Sequence, residues 1–221
     1  MRTFFFGLFI LLIGSTFTAC KQKKEERNSY VNPEFSAFVS AFTSGDVSRG
    51  NALKVVLTQP IDTSKYRLGE ALPNDLFDLS PNMDGVARYM DPYTIEFLPE
   101  KWFESGQKYN VEFNMKSIIP NVPKGFELFK FDFKTRLLDY NVFIKGFDKN
   151  STYEKVNITG EVVFTDVIDT NELQSLIEVT GVQKVSIHWE EVNNRRYEFT
   201  LENCPRTDED YSVKFKFDGA D

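Results

Sequence analysis

The chain is 221 residues long and carries 26 Lys and Arg against 33 Asp and Glu, a formal charge of −7, with a single His. That acidic balance leaves no basic stripe to neutralise a phosphate backbone, so nucleic acid is not an expected partner. The length suits one or two domains, and 22 Phe with 9 Tyr supply enough apolar surface for two cores.

Residues 1–19 read as an export signal. Arg2 gives a positive start and Phe4 to Ile13 form an apolar run too short to span a bilayer. Phe17-Thr18-Ala19-Cys20 resembles a bacterial lipobox, with Phe17 where Leu is commoner. The expectation is cleavage before Cys20 and acylation of its thiol, a covalent lipid in place of any cofactor. Two or three acyl chains, at roughly 0.8 kcal/mol per buried methylene, hold a protein on a membrane. The alternative is an ordinary secretory peptide cut near Ala19, leaving Cys20 as a plain thiol. Removing residues 1–19 takes away Arg2 and no acidic residue, so the mature chain has 25 basic against 33 acidic side chains and a formal charge of −8. With Cys20 acylated, Cys204 is the one remaining thiol and an intramolecular disulfide is ruled out.

Residues 20–32 are charged and lack an apolar period, so they read as the lipidated Cys followed by a flexible tether. Lys24-Glu25-Glu26 resembles the Lys-then-acidic signal that sends Bacteroidetes lipoproteins to the cell surface. Localisation is therefore expected at the outer membrane of a Gram-negative bacterium, with its periplasmic side and the cell surface both open.

From Phe38 onward the period is two. Tyr109 to Phe113, Phe129 to Thr135 and Val185 to Trp189 alternate apolar and polar, which predicts strands with one buried face. Ser105-Gly106, Met83-Asp84-Gly85 and Asp91-Pro92 supply turns between them, so the pattern is all-β and that of Ig-like β-sandwiches. One helix is predicted at Asn171 to Ile177, behind an Asn or Thr cap.

The chain also repeats itself. Val56, Ile61-Asp62-Thr63, Glu96-Phe97 and Tyr109-x-Val111-x-Phe113 recur at matching spacings as Val163, Ile168-Asp169-Thr170, Glu198-Phe199 and Tyr211-x-Val213-x-Phe215. Two tandem sandwiches follow, residues 33–136 and 139–221, with the boundary near Arg136 to Asp139. The first continues from Phe113 into the alternating run 129–135, whereas the second has no counterpart to that run before Asp221. It is expected to lack its last strand, either because something else supplies one or because the sequence is the N-terminal piece of a longer protein.

Few residues point to chemistry. His188 falls on the polar side of its strand with no nucleophile indicated, and one His with one mature thiol makes no zinc site. Asp208-Glu209-Asp210 lacks the spacing of a calcium loop and reads as a solvated turn. Asn150-Ser-Thr152 and Asn157-Ile-Thr159 match a glycosylation acceptor pattern of little weight in a bacterial lipoprotein. Trp102-Phe103 is the candidate exposed aromatic patch for a sugar, set against a role in plugging one end of the first sandwich. No catalytic residue, metal ligand or small-molecule substrate is expected, and the chain is not read as an enzyme.

Ser40 to Gly45, Leu76 to Pro81, Tyr93 to Phe97 and Gly106 to Tyr109 together resemble the first domain of Bacteroidetes alpha-2-macroglobulin-type lipoproteins, and residues 139–221, with Lys216-Phe217-Asp218-Gly219, resemble part of the second. The resemblance implies macroglobulin-type sandwiches at the membrane-proximal end of a large protease inhibitor, meeting proteases through downstream regions. The Cys-x-x-Gln thioester of that family is missing here, since Cys204 is followed by Pro205-Arg206-Thr207. The expected role is anchor and framework. The competing class is a surface binding module, an adhesin for glycan or host protein.

Overall fold

A computed structural model describes residues 31–62, 64–148, 155–180, 186–206 and 214–217, with 175–180 and 214–217 described by backbone alone. The protein is all-β, and the described residues hold one α-helix. Two hydrophobic clusters form, one from residues between Val39 and Phe133 and the other from residues between Leu138 and Cys204.

The first sandwich comprises β1 (Val39–Phe42), β2 (Gly45–Val47), β3 (Leu53–Leu57), β4 (Phe77–Ser80), β5 (Gly85–Tyr89), β6 (Thr94–Pro99), β7 (Lys108–Asn114) and β8 (Leu128–Thr135). One sheet runs β1-β3-β6-β5 and the other β2-β8-β7-β4. β1 is antiparallel to β3 and β2 is parallel to β8, so the chain crosses between sheets at Thr43-Ser44 before pairing again. Gly45, at φ 71, supplies the left-handed backbone at that crossing. This strand order is Ig-like, with the first strand divided between the two sheets. Alternation in the sequence becomes alternation in burial. Phe129, Phe131 and Phe133 of β8 are buried while Lys130 and Lys134 face out.

The second sandwich has β9 (Tyr140–Phe147), β10 (Lys155–Phe164), α1 (Thr170–Leu176), β11 (Ile177–Thr180), β12 (Ser186–Asn193), β13 (Arg196–Pro205) and β14 (Lys214–Phe217). Its larger sheet runs β12-β13-β10-β9, and β11 pairs with β14 in a separate two-stranded sheet. The helix begins one residue earlier than its pattern predicts. Its cap is Asp169, whose carboxylate accepts the Glu172 N–H at 2.7 Å, and not the Asn or Thr the sequence suggests.

The repeat has a physical meaning in hydrogen bonds. Val56 pairs with Thr94 and Val163 with Arg196, each three positions before the Phe of Glu-Phe. Ile61 N–H donates to the Pro92 carbonyl and Ile168 N–H to that of Asn194, both at 2.8 Å and both five positions before that Phe. Phe97 and Phe199 fill the two cores, while on the opposite side of each sheet Glu96, buried beneath Lys54 and Arg88, and the half-buried Glu198 meet basic partners.

Candidate functional site at the junction of the two sandwiches

Residues 136–139 join β8 to β9, and both sandwiches grip them. On the first side, Arg136 N–H donates to the Val47 carbonyl at 2.9 Å, Gly106 N–H to the Arg136 carbonyl at 3.1 Å, and Leu138 N–H to Ser105 Oγ at 2.7 Å. Gly106 sits at φ +65, where a Cβ would lie 3.0 Å from Leu137 Cδ1, so this corner requires glycine. On the second side, Thr165 Oγ1 donates to the Leu137 carbonyl at 2.9 Å and accepts the Asp139 N–H at 2.8 Å. Leu138 is buried in the second core. A linker whose polar groups are paired on both sides does not swing freely.

The centre of the seam is Asp166, 0% exposed. Its carboxylate accepts the Ser48 hydroxyl, the Arg49 N–H at 2.9 Å and its neighbour's Val167 N–H at 2.8 Å, and Arg195 Nη2 lies 3.6 Å away. A buried carboxylate is costly unless hydrogen bonds replace water, and three donors meet that need here. Two come from the other sandwich, so the docked partner supplies most of the hydrogen bonds that replace water around this charge. Arg49 answers in the opposite direction. Its Nε donates to the Phe103 carbonyl at 2.9 Å, its Nη1 meets Glu172 Oε1 at 2.6 Å, and the guanidinium stands 5.8 Å from the centre of the Trp102 ring. Beside this cluster opens a cleft of about 500 Å³, bordered by Lys101, Trp102, Glu104, Asp169 and Glu172.

The candidate aromatic patch is half corrected by this arrangement. Phe103 is 0% exposed and belongs to the first core, tilted against Tyr109 and edge-on to Phe133 at centroid distances of 4.9 and 5.2 Å. Trp102 is half-buried at the cleft beneath Arg49. His188 is exposed on the outer side of β12. Cys204 is buried in the second core, and burial pushes its thiol up, away from the reactive thiolate. Asn157 of β10 accepts the Asn203 N–H of the neighbouring β13 at 3.1 Å, between the two inner strands of the sheet. Cys20, Asn150 and Asp208-Glu209-Asp210 lie outside the described residues. Among the described residues no group of three or more His, Cys, Asp or Glu is arranged to hold a metal ion, and no helix is long and apolar enough to cross a membrane.

Sequence reasoning missed the seam residues Ser48, Arg49, Asp166 and Glu172. A signal existed. Aligning Ile61 with Ile168 sets Gln59 against Asp166, a neutral residue where the second copy holds a charge beside an apolar pair.

No protein-family model matches the sequence, and no curated protein matches it significantly. Among solved structures, an L,D-transpeptidase from Mycobacterium tuberculosis H37Rv is 12% identical with a TM-score of 0.31, over 82% of this chain and 76% of that one. The Escherichia coli adhesin FdeC is 11% identical with a TM-score of 0.29, over 81% of this chain and 62% of that one.

Proposed function

We propose that this chain is a non-catalytic, lipid-anchored framework, in which two Ig-like sandwiches are locked into one body that holds whatever they carry at a fixed attitude to the membrane. The observation behind this reading is Asp166, a buried charge whose donors come from both sandwiches. A flexible tandem has no use for such a group, since an undocked Asp166 would be left to water. Acylation of Cys20 supplies the anchor, and the macroglobulin-type resemblance supplies the setting, the membrane-proximal part of an alpha-2-macroglobulin-like protease inhibitor in the outer membrane.

Two measurements test the reading. Nitroxide labels at Asp78→Cys and His188→Cys, one exposed site on each sandwich, should give a single narrow distance distribution by pulsed electron resonance. A broad distribution would remove the framework. Cys20→Ser should abolish fatty-acid incorporation and release the protein from membranes, and unchanged membrane retention would remove the anchor. A second reading, a surface binding module, draws on the cleft beside Trp102, where a half-buried indole and several charges border a space of about 500 Å³.

A further inference from the structure

The inner face of the second sandwich is unevenly covered. Val162 and Phe164 of β10 are buried, as are Tyr197, Phe199 and Leu201 of β13. On β9 the same face is covered only at its start, where Tyr140 and Val142 pack against this core, and is open further along. Ile144 lies opposite Gly160 and Phe147 opposite Ile158, which places both on the face that Val162 shares, yet they are 61% and 72% exposed. Large apolar side chains are left wet on the side of a sheet that normally packs.

The first sandwich shows what belongs there. Its strand equivalent to β9 is β1, and Phe42 of β1 is covered by Phe129 and Phe131 of β8 at centroid distances of 5.1 and 5.2 Å. β8 reaches that position by lying antiparallel beside β7. The counterpart of β7 is β14, which among the described residues pairs with β11 alone. By this correspondence, a strand edge that has no second partner among the described residues and an uncovered apolar strip fall where one further strand would satisfy both.

We propose that the edge of β14 and the exposed strip Ile144-Phe147 of β9 form the acceptor for one extended polypeptide strand, antiparallel to β14, with apolar and acidic side chains at alternate positions. The apolar residues follow from the strip. The acidic ones follow from charge. β14 carries Lys214 and Lys216 at alternate positions; Lys216 is opposite Glu178 of β11, whereas Lys214 is opposite the neutral Thr180, so the unmatched charge on this strand is that of Lys214. In the first sandwich the corresponding β7–β8 contacts are ion pairs, Lys108 with Asp132 at 3.5 Å and Glu112 with Lys130. This inference rests on the fold and is independent of the lipid-anchored framework reading.

The test extends the full chain after Asp221 by a flexible Gly/Ser linker of about twelve residues and the sequence of residues 128–135 with Lys130 and Lys134 changed to Glu. Tethering raises the effective concentration of the donor to the millimolar range, so a weak strand still docks. Hydrogen exchange of the 214–217 amides should slow about tenfold or more relative to the unextended chain, and the same extension with Pro in place of its central Phe should give no slowing. Equal exchange with the two extensions would overturn the proposal. So would a concentration-dependent dimer of the unextended chain that already protects these amides, since a second copy would then be the occupant. Ile144→Glu combined with Phe147→Glu, both at exposed sites, should leave the first sandwich's exchange unchanged and abolish the protection given by the extension. Protection that survives those substitutions would show that the strand docks elsewhere.

Discussion

Removing the Asp166 carboxylate should uncouple the two sandwiches. In Asp166→Ala the Ser48 hydroxyl, the Arg49 N–H and the Val167 N–H lose their acceptor inside the seam. A buried donor left unmade costs about 1–3 kcal/mol, and removing one member of a buried charged cluster typically costs about 3–5 kcal/mol in all. Arg195 adds little, because it is 3.6 Å away and 42% exposed. The expected loss is therefore about 3–4 kcal/mol, which for a domain of roughly 100 residues lowers the melting temperature by roughly 10–20 °C. Asp166→Asn keeps one acceptor oxygen and the shape, and should lose about half as much. Tryptophan fluorescence during urea unfolding reports on both sides of the effect, since Trp102 stands at the seam and Trp189 packs on Phe199 in the second core. The wild type should unfold as one unit at both probes, and the Ala variant should show the second sandwich melting first. A loss under about 1 kcal/mol would refute the reasoning, because it would mean that water reaches the seam donors without the sandwiches separating.

Two further outcomes follow from packing. Gly160→Ala should cost about 1–3 kcal/mol in urea unfolding, since a Cβ there would collide with the Phe199 ring and lie 2.5 Å from the Phe143 carbonyl oxygen; a neutral result would show that β9 shifts freely on β10. Burial pushes the phenols of Tyr89, Tyr109 and Tyr197 up. Their folded pKa values thus exceed the unfolded value of about 10, and the stability they contribute is whole below that pH and is lost as pH climbs toward the folded values. Ultraviolet titration should find these three silent until the protein unfolds in alkali, and smooth reversible titration of all nine tyrosines in the folded protein would contradict their burial.

The strands were legible because alternation is local. Phe129, Phe131 and Phe133 are buried for the same reason that they are spaced by two, and no distant residue has to be known to see it. The turn at Ser105-Gly106 was legible for a similar reason, as glycine marks a backbone that other residues resist. The aromatic pair Trp102-Phe103 was harder. Neighbours on an extended chain point to opposite sides, so one of the two had to face the core, and the sequence does not say which. The helix cap was misassigned by one or two residues because Asp169, Thr170 and Asn171 are all capping types, and only geometry shows which oxygen reaches the Glu172 N–H.

The seam lay beyond any local pattern, since its partners are more than a hundred positions apart. It is nevertheless tied to the repeat. The Ile-Asp-Thr corner takes the same hydrogen bond in both copies, so the residues just before it occupy equivalent places at the end of each sandwich. In the second copy those residues are Asp166 and Val167, which meet Ser48, Arg49 and Gly50 of the first. In the first copy they are Gln59 and Pro60, and they border an apolar groove of about 220 Å³ together with Phe38, Ile61, Tyr66 and Ile118. One end of the fold thus serves two purposes. A charge there makes sense only where another sandwich brings buried donors to meet it, and the neutral Gln59-Pro60 pair stands where, among the described residues, no sandwich does. The substitution that separates the copies at this corner is the mark that docking leaves in the sequence.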